Sequence, residues 1–317
     1  MVVMQKLVAL SAVAALSLAA CGESSSSTEG QGEAAGETLD VVTSFYPLQY
    51  AIEQVGGERV SVNNLTKPGA EPHDLELSPQ DVLTVSKADA LVYLKDFQPA
   101  VDDAVGEAKE SLDVTEAARL DLSTTDEHEG EGHEHEGDDH DHDHGSQDPH
   151  FWLDPMRYAD VADAIAEELG RLDPEHQSDY TAAAKDLRTR LTDLDASFTE
   201  GLKTCTQDDL VTNHAAFGYL ADAYGFHQEA ITLGPDTEPS STAMAEVVAH
   251  VKEHDIATIY AETLVPTDVA DTIAKETGAT VEVLDPIEGV TDSSAAHDYF
   301  GIMDANLETL KKGQDCS

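Results

Sequence analysis

Short apolar runs recur along the chain and alternate with stretches whose apolar residues step by three or four. Leu39–Ser44, Val60–Leu65 and Ala90–Leu94 predict strands, as do Leu210–Asn213, Ala230–Leu233, Thr258–Ala261 and Val281–Leu284. Helical patterns lie between them, for example at Ala243–Glu253 and Val269–Thr277. Strands that alternate with helices imply parallel sheets covered by helices. The alternation runs once before residue 155 and again after residue 205.

Between those halves, Tyr180, Ala184, Leu187, Leu191, Leu194, Phe198 and Leu202 fall on one helix face. Asp173 is a good N-cap residue and Pro174 suits the first helical turn. A helix over 174–203 would be about 45 Å long at ~1.5 Å per residue. The expected fold is therefore α/β with two lobes, each a mostly parallel sheet flanked by helices. The lobes, 38–173 and 204–317, are joined by one long rigid helix over 174–203. A coiled coil is the alternative for that helix, but the run is short for one.

The first residues read as an export signal over 1–20. Lys6 supplies positive charge and Leu7–Ala20 is almost wholly apolar, yet too short to span a bilayer comfortably. The sequence Leu18-Ala19-Ala20-Cys21 resembles a bacterial lipobox, which would make Cys21 the lipidated first residue of the mature chain. An ordinary cleaved signal is the alternative. Acyl chains hold a protein at ~0.8 kcal/mol per buried CH₂. The Gly/Ser/Glu-rich residues 21–37 cannot bury a core and read as a flexible stalk. No later segment is long and apolar enough to cross a membrane. The expected location is the outer face of the cell membrane, with membrane contact through the anchor alone. In such an oxidising space Cys205 and Cys316 are expected to pair as a disulfide, ahead of free thiols or metal ligation.

The formal net charge of -47 nearly excludes nucleic acid as a partner, since phosphate would be repelled. It would attract cations without choosing among them. One tract goes further. Residues 126–145 hold His128, His133, His135, His140, His142 and His144 among Asp, Glu and Gly, with no apolar residues. Imidazole and carboxylate at this density collect metal loosely. A solvated acidic loop with incidental histidines is the plainer alternative.

Three histidines outside the tract stand in distinctive settings. His73 follows the Val60–Leu65 strand in Glu71-Pro72-His73-Asp74. His150 lies in Asp148-Pro149-His150-Phe151-Trp152-Leu153-Asp154-Pro155, directly after the tract. His214 follows the Leu210–Asn213 strand, and Asp285 follows Val281–Leu284 and precedes Pro286. Ligands of open α/β sheets bind beyond the carboxyl ends of the strands. Singly, each residue is more often structural. Together, three imidazoles and a carboxylate suit a four-coordinate Zn²⁺, and nitrogen-rich ligation favours Zn²⁺ over Mn²⁺.

These motifs, with His214-Ala215-Ala216-Phe217-Gly218-Tyr219 and Leu284-Asp285-Pro286, resemble those of the zinc/manganese-binding receptors of bacterial ABC importers. The zinc (ZnuA-like) branch is the nearer, and the resemblance covers roughly residues 38 to 312. Thr237-Glu238-Pro239-Ser240 and Glu262 after Tyr260-Ala261 also fit. The resemblance implies two lobes, a connecting helix and one metal in the cleft, held by His73, His150 and His214 with Asp285 or water as fourth ligand. Manganese-type members carry Glu where His214 stands, which supports zinc. Pro72 separates Glu71 from His73, so Glu71 does not fit the acid-before-His pattern of some zinc members. The implied protein is a monomeric receptor, not an enzyme, that passes zinc to an ABC permease and its ATPase. A manganese receptor, a secreted zinc hydrolase and a metal-buffering lipoprotein are the rivals. No HExxH motif is present for a hydrolase.

Overall fold

In the first sheet, β1 (Leu39–Thr43) pairs in parallel with β2 (Val60–Asn64) on one side and β3 (Ala90–Tyr93) on the other. β4 (Ser111–Asp113) extends it beyond β3, for the order β2-β1-β3-β4. The second sheet repeats the plan: β5 (Asp209–His214), β6 (His227–Thr232), β7 (Thr258–Ala261) and β8 (Thr280–Val283), all parallel, in the order β6-β5-β7-β8. All four residues of β3 and of β7 are buried, which is why these strands read as unbroken apolar runs. In each sheet the first strand in sequence lies between neighbours reached by opposite crossovers. The space beyond its carboxyl end is where such sheets place ligands.

This computed structural model describes residues 38–123, 147–235 and 237–317. The expected signal 1–20, Cys21, the stalk and the six tract histidines from His128 to His144 lie outside the described residues.

Helices cover the sheets: α1 (Tyr46–Gly56), α2 (Pro79–Lys87), α3 (Pro99–Ala104), α4 (Thr115–Ala118) and α5 (Pro155–Leu172) in the first half; then α6 (Gln177–Leu202), α7 (Gly218–Tyr224), α8 (Ser241–Glu253), α9 (Asp268–Thr277) and α10 (Tyr299–Gly313). Local chemistry starts several of them. Ser78 and Asp81 form a reciprocal capping box ahead of α2. The Asp154 carboxylate accepts from the Met156 and Arg157 amides, with Pro155 in the first turn of α5.

The long helix begins later than its sequence suggests, at Gln177 rather than Pro174. Asp173 does not cap it. Its carboxylate instead accepts from His176 Nδ1 at 2.7 Å and from the Tyr180 hydroxyl at 2.9 Å, fixing a four-residue turn between α5 and α6. Gly170 permits this turn, because a Cβ there would lie 2.7 Å from Gln177 Cγ. The connection between the sheets is thus a packed pair of helices, with Arg188 of α6 bonded to Asp160 and Asp163 of α5. β4 is the strand the sequence pattern misses: three residues, none fully buried, carry no readable periodicity.

One apolar core runs from Val41 and Phe45 through Tyr158, Leu187 and Phe198 to Leu210, Leu284 and Tyr299, so both sheets and the α5–α6 pair share it. The expected disulfide is present, Cys205–Cys316, closing 111 residues of chain around the second sheet. Among the described residues, no helix is long and apolar enough to cross a membrane.

Candidate metal centre

His73, His150 and His214 converge, as the sequence predicts. His214 ends β5, His73 lies in the segment between β2 and α2, and His150 stands just ahead of the single turn Phe151–Leu153 that feeds α5. Their Nε2 atoms face one carboxylate oxygen, Glu288 Oε1, at 2.9 Å from His73, 3.0 Å from His150 and 3.6 Å from His214. The Nε2 atoms of His150 and His214 are 3.4 Å apart. Bonds of 2.0–2.1 Å to a central zinc-sized ion set tetrahedral edges of about 3.3–3.4 Å. These four separations lie within about 0.5 Å of those edges, and all four atoms lie within 4.8 Å of one another.

Each buried imidazole is held from behind. His150 Nδ1 and backbone N–H both donate to Asp148 Oδ1, at 2.7 and 2.9 Å. His214 Nδ1 and N–H donate to Glu262 Oε1, at 2.7 and 3.1 Å. A carboxylate only accepts, so each Nδ1 carries a proton, and each Nε2, which faces Glu288, is the nitrogen a metal can take once its own proton is lost. The His73 amide donates to Glu71 Oε1 at 2.8 Å, which employs Glu71 in shaping the loop, outside the donor set. The side chains of His150, His214 and Glu288 are at most 1% exposed, while His73 is 24% exposed and is the donor nearest solvent.

The carboxylate that the structure brings to the three imidazoles is not that of Asp285 but that of Glu288, three residues on in the same loop. Asn306 grips the Asp285 backbone, accepting from its N–H at 2.9 Å and donating to its carbonyl at 2.7 Å. The Asp285 carboxylate folds back to accept from the Ile287 amide at 2.8 Å. This tight turn puts Ile287 at φ 59°, a conformation strained for a β-branched residue, and swings Glu288 into the pocket. The Trp152 indole N–H donates to the Pro286 carbonyl at 2.7 Å, tying the same loop to the His150 segment. The sequence signal for Glu288 was only a second acid after the β8 strand.

In the pocket, opposite charges work against the effect of burial. Burial would strip the proton from His214, but Glu262 and Glu288 outweigh it and raise its pKa to about 10. Burial likewise opposes protonation of His150, and Asp148 and Glu288 more than reverse this. Burial would raise Glu288, yet hydrogen bonds from His150, His214 and His73 hold it well below the usual carboxylate range. Burial, with the charge of Glu288 adding to it, lifts Asp285 to about 6 despite the Ile287 amide.

Ser123 and Gln147, the described residues flanking the His-rich tract, meet in an antiparallel bridge, and Asp148 N–H donates to the Leu122 carbonyl at 2.9 Å. The described residues on either side of the tract therefore meet three residues before His150.

Three nitrogens and one oxygen, all but His73 on buried side chains, are the donor chemistry of a receptor for a single divalent transition-metal ion. The family model for zinc-uptake complex component A, periplasmic (ZnuA), matches residues 41–313, and the chain belongs to that family. It is 36% identical over 303 residues to the high-affinity zinc uptake system protein ZnuA of Bacillus subtilis, with 93% of each chain covered. It is 35% identical over 313 residues to the zinc-binding lipoprotein AdcA of Streptococcus pneumoniae, spanning 96% of this chain and 60% of that longer protein. Its fold matches the Zn(II)-bound ZnuA-like domain of Streptococcus pneumoniae AdcA with a TM-score of 0.71 at 32% identity, covering 88% of this chain and 99% of that one.

Proposed function

We propose that this chain is an extracytoplasmic zinc receptor that binds one Zn²⁺ through His73, His150, His214 and Glu288 and hands it to an ABC-type permease driven by an ATPase. The observation that carries this reading is the convergence of four donor atoms within 4.8 Å of one another, three of them on buried side chains. Membership in the zinc-uptake family supports it, as do the zinc-uptake and lipoprotein names of its relatives. Three of four donors are imidazoles, which suits Zn²⁺ better than Mn²⁺. A fourth protein donor also argues against a zinc hydrolase, which keeps one position for water. In this reading Cys21 carries the lipid anchor, the lobes span 38–173 and 204–317, and the His-rich tract collects zinc loosely.

Calorimetric titration of the full chain should give one tight equivalent of zinc and several weak ones. Deleting residues 126–145 should remove weak equivalents and spare the tight one. Loss of the tight equivalent on deletion would place the receptor site in the tract and reject the assignment.

Proton and metal compete for the same pocket. The proton on His214 stabilises the metal-free fold fully below the unfolded imidazole value of ~6.5 and ceases to do so as pH rises through about 10. Zinc requires Nε2 bare. The rise in melting temperature caused by a fixed excess of zinc should therefore grow steadily from pH 6 to pH 8.5. A flat or falling zinc-induced shift over that range would contradict this electrostatic account.

A further inference from the structure

The second sheet carries another cluster at the far end of its switch strand. Asp209 opens β5 and His214 closes it. Five residue steps at ~3.3 Å separate them by about 17 Å. Beside Asp209 stand His250, in the last turn of α8, and His254, which caps that helix. Their i,i+4 spacing puts both on one face, and the rings stack with centroids 4.3 Å apart and planes at 22°. Asp209 Oδ2 lies 3.1 Å from His254 Nδ1 and 3.6 Å from His250 Nε2. One donor atom from each of the three residues lies within 4.8 Å of the others.

Hydrogen bonding explains only half of this arrangement. His254 Nδ1 is within reach of the carboxylate. His250 Nε2 is sealed from solvent and has no hydrogen-bond partner among the described residues. Its neighbour Asp209 Oδ2 at 3.6 Å is too distant to be one. A buried nitrogen without a partner, two imidazoles a helical turn apart and a carboxylate facing both are what a metal ion would reconcile. The two donor–carboxylate distances bracket the ~3.3 Å tetrahedral edge of a zinc site. The carboxyl end of a helix also favours positive charge.

We propose that Asp209, His250 and His254 form a second metal site, separate from the cleft, for Zn²⁺ or a divalent ion of similar chemistry such as Cu²⁺ or Ni²⁺. Three protein donors hold the ion and water completes its shell. The site is weaker than the cleft, because it has one protein donor fewer and His254 is half-exposed, at 49%. An ion there ties the end of α8 to the first residue of the strand that carries His214 at its other end. The cleft assignment does not depend on it.

The test is a zinc titration of the isotope-labelled full chain followed residue by residue by NMR. Once the cleft has taken its equivalent, the amide signals of Asp209, His250 and His254 should move together as free zinc rises. H254Q should abolish those movements and leave the His214 response intact, which also reports that the variant folds. D209N should raise the free zinc at half-response at least roughly tenfold, since even an outer partner of a ligand is worth about 10–100-fold. Signals of the trio that stay fixed to 1 mM free zinc, or that respond alike in D209N and the parent, would overturn the proposal.

Discussion

Replacing His214 with alanine should lower zinc affinity at the cleft by about two to three orders of magnitude. Tight zinc sites of four protein ligands bind with about 10–16 kcal/mol, or roughly 3–4 kcal/mol per ligand. That loss corresponds to about 100- to 1,000-fold in Kd. His214→Ala also leaves Glu262 and Glu288, both buried, without an imidazole that had satisfied them. Glu262→Gln provides the graded comparison. It keeps all four donors and disturbs only the acceptor behind His214 Nδ1, so it should cost about 10–100-fold. Glu288→Gln should resemble the ligand loss, whereas Asp285→Asn, which touches no donor directly, should cost less. Competition titration against a chromophoric chelator would rank the four variants. If His214→Ala bound zinc as tightly as the parent, the cleft assignment would fail.

The second large effect concerns the fold. Cys205→Ser should destabilise the protein by about 5 kcal/mol, because the bridge closes 111 residues and removes that loop-closure entropy from the unfolded chain. The native surroundings ask for no rearrangement when it is lost. The Thr206 and Gln207 amides still donate to the Gln314 carbonyl at 3.1 and 3.2 Å, and the Tyr260 hydroxyl still reaches Gln314 at 2.7 Å. The effect therefore works through the unfolded state, and the cleft geometry should persist. Denaturant unfolding of metal-free parent and variant would measure it. A difference under about 1 kcal/mol would mean the unfolded chain is already confined near these positions.

Most strands were legible because buried parallel strands leave continuous apolar runs, and the observed ends differ from the predicted ones by no more than three residues. Three of the four donors were legible from their settings: His214 closes a strand of an α/β sheet, at the ligand edge, and His73 and His150 lie in the distinctive Glu71-Pro72-His73 and Asp148-Pro149-His150-Phe151-Trp152 segments. The fourth was not. Asp285 and Glu288 occupy one loop, and the choice between them depends on a left-handed turn at Ile287. Isoleucine disfavours that conformation, so no local propensity announces it; tertiary contacts from Asn306 and Trp152 impose it. The start of α6 was misread for a similar reason. Asp173 has the chemistry of a cap, but Tyr180 and His176 both take its Oδ2 once the chain has folded.

The chain contains a single tryptophan. Trp152 is wholly buried, its ring centroid is 5.3 Å from that of His150, and its N–H holds the loop that aims Glu288. All indole fluorescence from the folded protein thus originates one ring away from one donor and one hydrogen bond away from the segment bearing another. The unlabelled protein carries its own optical gauge of cleft occupancy, placed where signals from the rest of the molecule cannot dilute it.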